Sequence, residues 1–322
     1  MGAVIESTTA RRGEHTFGTS EFAVAEDGRR LHYMVQGSEG PTVVFESGMG
    51  FSRSIWGLVQ PLVAGRMRTA VYDRAGIGRS DDAAHPRTLG RMAADLDTVL
   101  RALGPGPFVL VGHSWGGPIA RVAAAADPSR IRGLVLVDQS DENCELYFTR
   151  SARTRFATTR LLMPALARIG LYRSFGSKAG AAQPVDVLAD HRAEDFTVRA
   201  ARALIAEQDL FLAELQRLRE HPLVLDSVEV SVITGTGAQR FDKTVRQAII
   251  AAHRRTAEAL PNGRLVEAPR SGHLVMFTEP DVVAREILRV AGPSDESAQR
   301  VSNSDNRIDL RNTTSDNDRP SR

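Results

Sequence analysis

Along the middle of the chain, short apolar runs alternate with stretches whose apolar positions recur every three or four residues. The runs Thr42 to Phe45, Thr69 to Tyr72, Phe108 to Val111, Gly133 to Val137, Val228 to Ile233 and Arg264 to Ala268 are rich in valine and closely bounded by Gly, Pro or Asp. Near-continuous apolar runs of this length suit strands buried on both faces of a parallel sheet. Leu89 to Leu103 and Thr244 to Leu260 carry helical spacing. Thr278 is expected to begin a last helix, with Pro280 in its first turn and Asp281 in a capping-box-like position. Earlier in the chain, Glu21 to Glu26 and Arg30 to Val35 flank Asp27-Gly28, a turn pair that tolerates positive φ, and this predicts a hairpin. The repetition of strand and helix predicts an α/β fold with a mostly parallel sheet flanked by helices.

The alternation breaks once. From Glu145 to His221 there is no strand pattern, only helical stretches such as Tyr147 to Arg160 and Glu194 to Arg219, interrupted by Pro164, Gly170 and Pro184. This interval predicts an inserted helical cap over residues 145–221, dividing a core made of residues 19–144 and 222–292. Residues 293–322 are mostly Ser, Asn, Asp and Arg, too polar to offset the entropy of ordering them, and are expected to form a disordered tail. Residues 1–18 are expected to be a flexible arm on the same grounds.

Composition narrows the function. In 322 residues, 41 Lys and Arg face 39 Asp and Glu, interleaved along the chain, so no basic stripe offers itself to a nucleic acid. Only Lys178 and Lys243 are lysines. The single Cys144 can form no internal disulfide, which fits a reducing compartment. Arg11 and Arg12 are followed by no long apolar run, and no stretch approaches the roughly 18 uninterrupted apolar residues of a membrane span, so a cytoplasmic protein with no membrane partner is expected.

The chemistry gathers where strands end. Gly112-His113-Ser114-Trp115-Gly116-Gly117 stands between the strand Phe108 to Val111 and the helical stretch Pro118 to Ala126. A Gly-x-Ser-x-Gly in that position implies a turn so sharp that the residues two before and two after the serine cannot carry side chains, which pushes Ser114 out at the carboxyl edge of the sheet. A serine hydroxyl needs a base, and Ser271-Gly272-His273 follows the last strand directly, placing His273 at the same edge. His113 adjoins Ser114 but points elsewhere from the turn. No His and carboxylate cluster has metal-ligand spacing and no Gly-rich segment ends in Gly-Lys-Ser or Gly-Lys-Thr, so neither metal nor cofactor is expected.

With these motifs the chain resembles the α/β-hydrolases, in the large cap-bearing branch that includes esterases, lipases and carbon–carbon bond hydrolases, over about residues 20 to 292. Glu46-Ser47-Gly48-Met49-Gly50 follows the third strand where the family usually has His-Gly-x, and Tyr72-Asp73-Arg74-Ala75-Gly76-Ile77-Gly78-Arg79-Ser80 resembles the family's Asp-x-x-Gly-x-Gly-x-Ser turn. The resemblance implies an oxyanion hole built from the backbone N–H groups of Met49 and Trp115, with their side chains lining the pocket entrance. It also implies a carboxylate to orient His273. Most members take it from the loop after the seventh strand, but here that loop reads Gly235-Thr236-Gly237-Ala238 without one. Two candidates remain: Asp138 at the end of the sixth strand, and Asp242, late in the expected loop. Asp73 is assigned to the turn.

Relatives that open epoxides or displace halide carry aspartate at the elbow, so Ser114 argues for acyl transfer to water. The expected substrate is a small or medium carboxylic ester or lactone. Carbon–carbon bond hydrolysis of a dienoate-like or diketone-like metabolite by the same residues is the first alternative, and a hydrolase-fold ligand receptor with little turnover the second. Phe148, Leu161, Leu162, Met163 and Phe211 are candidates for the inner face of the cap.

Overall fold

The computed structural model describes residues 14–176, 178–237 and 243–292. Eight strands form one sheet in the order β1-β2-β4-β3-β5-β6-β7-β8. They are β1 (Thr19–Val24), β2 (Arg30–Gln36), β3 (Thr42–Glu46), β4 (Thr69–Tyr72), β5 (Phe108–His113), β6 (Ile131–Val137), β7 (Glu229–Gly235) and β8 (Gly263–Ala268). β1, β2 and β4 pair antiparallel, and every pairing from β4 through β3, β5, β6 and β7 to β8 is parallel. The expected hairpin is present, but its loop is longer than a two-residue turn: Gly28 N–H donates to the Ala25 carbonyl (2.9 Å), and the positive φ falls on Gly28 alone.

Every residue of β3, β4 and β5 is buried, as expected for strands covered on both faces. Alternate residues feed two cores. Val44, Leu110, Leu134 and Leu136 pack under α2 (Leu89–Leu103) and α3 (Gly116–Ala126); Val43, Phe45, Val109, Val111 and Val135 pack under α1 (Gln60–Ala64) and α10 (Pro280–Ala291). Burying each such side chain contributes about 1.5 to 3 kcal/mol. The α2 N-terminus is closed by the Thr88 hydroxyl, which accepts from Arg91 N–H. α8 (Lys243–Ala259) covers β7 and β8.

Between β6 and β7 lies the helical interval, made of a 3-10 turn (Glu145–Phe148), α4 (Arg150–Arg168), α5 (Leu171–Gly176), α6 (Val185–Glu194) and α7 (Val198–Glu220). α4 runs straight through Pro164, contrary to the expected interruption. Arg160, whose carbonyl Pro164 leaves unbonded, is exposed, so water can take the place of the missing N–H. Leu161 and Leu162 are 77% and 48% exposed and belong to the outer surface of this insertion, which corrects their assignment to an inner face.

The last helix also starts differently from the expectation. Thr278 closes the short α9 (Val275–Thr278), and the N-cap of α10 is Glu279, with Pro280 in its first turn and no capping box. Of the arm, residues 14–18 are described and anchored: Phe17 is fully buried, and Thr16 donates through its N–H (2.6 Å) and hydroxyl (2.8 Å) to Asp186 of α6. Residues 1–13 and the tail 293–322 lie outside the described residues. No helix among the described residues is long and apolar enough to cross a membrane.

Candidate active site

Ser114 sits between β5 and α3 with φ of 52°, a left-handed conformation unusual for a residue with a side chain. The neighbouring glycines make it possible. A Cβ on Gly112 would lie 2.5 Å from the Gly116 carbonyl oxygen, one on Gly116 2.4 Å from that of Glu46, and one on Gly117 2.5 Å from the Gln139 side chain. The elbow is tied to β6, with Ser114 N–H donating to the Val137 carbonyl (3.1 Å) and Ser140 N–H to the Ser114 carbonyl (2.8 Å). Ser114 is thereby the one partly exposed residue from Gly112 to Gly117.

The residues expected to work with it converge. His273 Nε2 lies 3.1 Å from Ser114 Oγ, and His273 Nδ1 lies 2.8 Å from Asp138 Oδ2. Asp138, directly after β6, is also left-handed (φ 42°) and buried, and its Oδ1 accepts from Gly235 N–H (3.0 Å). Burial works to raise the Asp138 pKa. The hydrogen bond and charge of His273, with the charges of His253 and Arg246, outweigh it and hold the carboxyl down at about 2. The carboxylate in contact with His273 is therefore Asp138; Asp242 lies outside the described residues.

The loop carrying His273 is held on three sides. Gly235 lacks the Cβ that would stand 2.0 Å from the Gly272 carbonyl oxygen, and Gly237 N–H donates to the Ser271 carbonyl (2.9 Å). Glu279 accepts from Arg270 N–H (2.9 Å) and Ser271 Oγ (2.6 Å), so the N-cap residue of α10 also braces this loop. His113 Nε2 donates to the His273 carbonyl (3.1 Å), with the two rings 4.7 Å apart. Burial, reinforced by the charge of His273, pushes the His113 pKa down to about 3, so at neutral pH it is an uncharged donor.

Opposite His273, the loop after β3 brings Gly48 so close that a Cβ there would stand 3.3 Å from Ser114 Cβ. Arg74, from the turn after β4, binds the Ser47 carbonyl, the Gly48 carbonyl (2.7 Å) and Glu46, and reaches Glu207 of α7 through Nε (2.9 Å) and Nη2 (2.9 Å). Arg87 also bonds Glu207. The Ser47 hydroxyl, where the family usually has histidine, donates to the Ser52 carbonyl (2.9 Å) and accepts from Trp56 Nε1 (3.1 Å). Met49 is half-buried in this loop, and Trp115 is the N-cap of α3, at the end where the first N–H groups have no intrahelical acceptor. The Trp115 ring does not line an entrance. It is fully buried against Phe211 of α7 (4.8 Å), with Tyr147 and Phe156 edge-on to Phe211.

Sequence reasoning missed the charged and polar groups that support these loops: Arg74 with Glu46 and Glu207, the uncharged His113 under His273, Glu279 under Ser271, and Arg246 on Asp138. Asp73 is a turn residue as expected, but its buried carboxylate also accepts from Arg53 Nη1 (2.6 Å) and His32 Nδ1 (2.8 Å). The available signal was an acid or base at strand ends whose neighbours are wholly apolar, as with Glu46 after Val43-Val44-Phe45. Among the described residues, no group of three His, Cys, Asp or Glu side chains could hold a metal ion.

Residues 43–286 match the model of the alpha/beta hydrolase family. The chain belongs to that family. A protein of Azorhizobium caulinodans provisionally named the carbamate hydrolase RutD is 26% identical over 272 residues, 83% of this chain and 96% of its own. An AB hydrolase superfamily protein of Gibberella zeae is 25% identical over 281 residues, 78% of this chain and 86% of its own. In fold, this alpha/beta hydrolase is similar to the enol-lactonase of Burkholderia xenovorans, with a TM-score of 0.63 at 21% identity, covering 84% of this chain and 99% of that one. A thermophilic esterase of Thermogutta terrifontis superposes with a TM-score of 0.63 at 21% identity, covering 84% and 97%.

Proposed function

We propose that the protein is a serine hydrolase that cleaves a small or medium carboxylic ester or lactone. The observation that carries this reading is the continuous chain of hydrogen-bond contacts from Ser114 Oγ through His273 to Asp138. Ser114 Oγ attacks the substrate carbonyl while His273 Nε2 takes the hydroxyl proton, and Asp138 holds the imidazole and stabilises its cation. The N–H groups of Met49 and Trp115 receive the oxyanion of the tetrahedral intermediate. Collapse expels the alcohol, protonated by His273. Water, activated by the same histidine, then attacks the acyl carbon and releases the acid and Ser114.

Relatives named for ester, lactone and carbamate hydrolysis support acyl chemistry, since all three substrates offer a carbonyl carbon to a nucleophile. Neighbours in fold also include an epoxide hydrolase and a haloalkane dehalogenase. Serine at the elbow favours the acyl reading over those, because their family branches use aspartate there. The helical interval 145–221 acts as the cap and selects the substrate, and the protein works in the cytoplasm. A fluorophosphonate probe should label Ser114, and p-nitrophenyl esters and lactones should turn over repeatedly. Carbon–carbon hydrolase substrates turned over in preference would reassign the reaction, and labelling without turnover would make the protein a receptor.

A further inference from the structure

Arg246 of α8 presents a feature the proposed mechanism does not use. Its Nη1 donates to Asp138 Oδ2 (2.9 Å), the same oxygen that His273 Nδ1 meets at 2.8 Å. The side chain is buried, and its Nε and Nη2 have no hydrogen-bond partner among the described residues. A buried guanidinium with two nitrogens, and so three N–H groups, unpaired among the described residues works against stability, because those groups lose water and gain nothing. The fold tolerates that cost at the one carboxylate that faces His273.

We propose that Arg246 is a positioning residue that acts through Asp138, offsetting part of its charge so that His273 stays unprotonated, and the site stays active, at a more acidic pH. The inference rests on the Ser114, His273 and Asp138 reading of the site. An arginine keeps its charge at every working pH. Its cation, two bonds of contact away from the imidazole across a shared oxygen, opposes the arrival of a second cation there. Other groups face this pair from each packed element: His113 from β5, Tyr147 from the 3-10 turn after β6, and His253 from α8. His113 is uncharged, and burial pushes the Tyr147 hydroxyl's pKa far up, so neither supplies a compensating charge near neutrality. The His253 ring is engaged at both nitrogens, by Thr234 Oγ1 (2.9 Å) and the Gln139 carbonyl (2.9 Å). Among the described residues, Arg246 alone shares the Asp138 oxygen that holds His273.

The test is the pH profile of kcat/KM for an activated ester in the wild type, Arg246→Gln, Arg246→Met and Arg246→Lys. Both neutral variants should move the acid limb up by about one pH unit, so that each loses about tenfold more rate, relative to its own plateau, just below the wild-type limb. Arg246→Lys, which keeps the charge, should restore the wild-type limb. A structural role alone would lower the rate by one factor at every pH. Neutral variants whose limb coincides with the wild type, or a lysine variant displaced as far as they are, would overturn the inference. If both neutral variants fail to fold, citrulline in place of Arg246, which keeps the shape of the side chain without its charge, takes their part: a limb moved up supports the role of charge, and one that coincides with the wild type refutes it. Hydrolysis that survives Ser114→Ala would overturn the reading of the site, whereas Ser114-dependent hydrolysis with coincident profiles would overturn only the role of Arg246.

Discussion

Around Ser114 the sheet edge and the helical insertion meet, and they are held by different forces. β3, β4 and β5 bury every residue, and backbone ladders and apolar packing fix them. The insertion adds Phe211, Leu215, Leu218 and Val187 to these same cores, but it leaves Leu161, Leu162, Ile169 and Val185 exposed and also reaches the sheet edge with acids. Glu207 meets Arg74 and Arg87; Glu194 and Asp190 meet the fully buried Arg53; Asp195 accepts from Ser52 N–H (2.9 Å) and Ser54 Oγ (2.7 Å). Apolar packing is tolerant of partner and non-directional, while a buried ion pair is costly unless every member is in place. The difference separates a scaffold that sets where Ser114, His273 and Asp138 stand from an insertion that adds a few buried charges to its apolar seating, one of their partners, Arg74, also holding the loop of Met49.

The largest expected effect lies at the sheet edge and leaves the insertion untouched. Ser114→Ala should lower kcat/KM by about 10⁴ to 10⁶ with an unchanged melting temperature, and Asp138→Asn by about 10⁴, since asparagine tolerates the left-handed backbone but fixes the wrong imidazole tautomer. Steady-state kinetics with thermal unfolding as the control checks both. Full activity in Asp138→Asn would move the acid elsewhere, and Asp242→Asn would then be the variant to examine.

Next comes the seating of the insertion. Glu207→Gln leaves two buried arginines short of a counter-charge and should cost about 3 to 5 kcal/mol of unfolding free energy by urea titration. Because Arg74 also holds the Ser47 and Gly48 carbonyls, kcat should fall too. A double-mutant cycle between Arg87 and Glu207 should show strong coupling. Loss below about 1 kcal/mol would mean that packing, such as Phe211 on Trp115, seats the insertion after all.

This division also explains what the sequence revealed. The strands and the elbow were legible because burial on two faces and a strand-to-helix turn leave local signatures: valine runs, and glycines at Gly112 and Gly116 that no other residue can replace. Ser114 and His273 follow from those positions. Asp138 was legible only as one of two acids, because its role depends on the Gly235 N–H and the His273 loop reaching it from strands far along the chain. The ion pairs were not legible at all. Arg74 and Glu207 are 133 residues apart, and an acid inside a helix such as α7 reads as a solvated face until the partner helix is in place. Leu161 and Leu162 erred the other way, as apolar residues on a helix that has nothing to pack them against.

A smaller effect follows from the buried histidines of the scaffold. His113 is held uncharged in the fold, with a pKa near 3 against an ordinary 6.5, and burial lowers His32 as well. The unfolded chain therefore takes up protons that the folded one refuses once the pH falls below about 6.5, and stability declines from there toward the folded value. At pH 5 the loss from His113 should be about 2 kcal/mol relative to neutral pH. His113→Gln, which can still donate to the His273 carbonyl, should flatten that part of the slope in urea midpoints measured from pH 7 to 5. An unchanged slope would assign the decline to other groups.

The smallest effect is expected on the outer surface of the insertion, and it sharpens the contrast by what it leaves alone. Leu161 and Leu162 are exposed on α4, so Leu161→Ser and Leu162→Ser should shift unfolding free energy by no more than about 0.5 kcal/mol and leave the order of acyl chain lengths by kcat/KM as it was. Phe211, buried between Trp115, Tyr147 and Phe156, is the counterpart that faces the elbow. Phe211→Leu removes the ring contact with Trp115, the residue next to Ser114, and should reorder the acyl chains, with each lost methylene-sized contact changing the ratio by about 1 to 3 kcal/mol, while Ser114 keeps its reactivity toward a small fluorophosphonate. If the Leu161 variant reorders substrates and the Phe211 variant does not, the outer face of α4 meets the substrate, and the insertion must seat differently when substrate is bound.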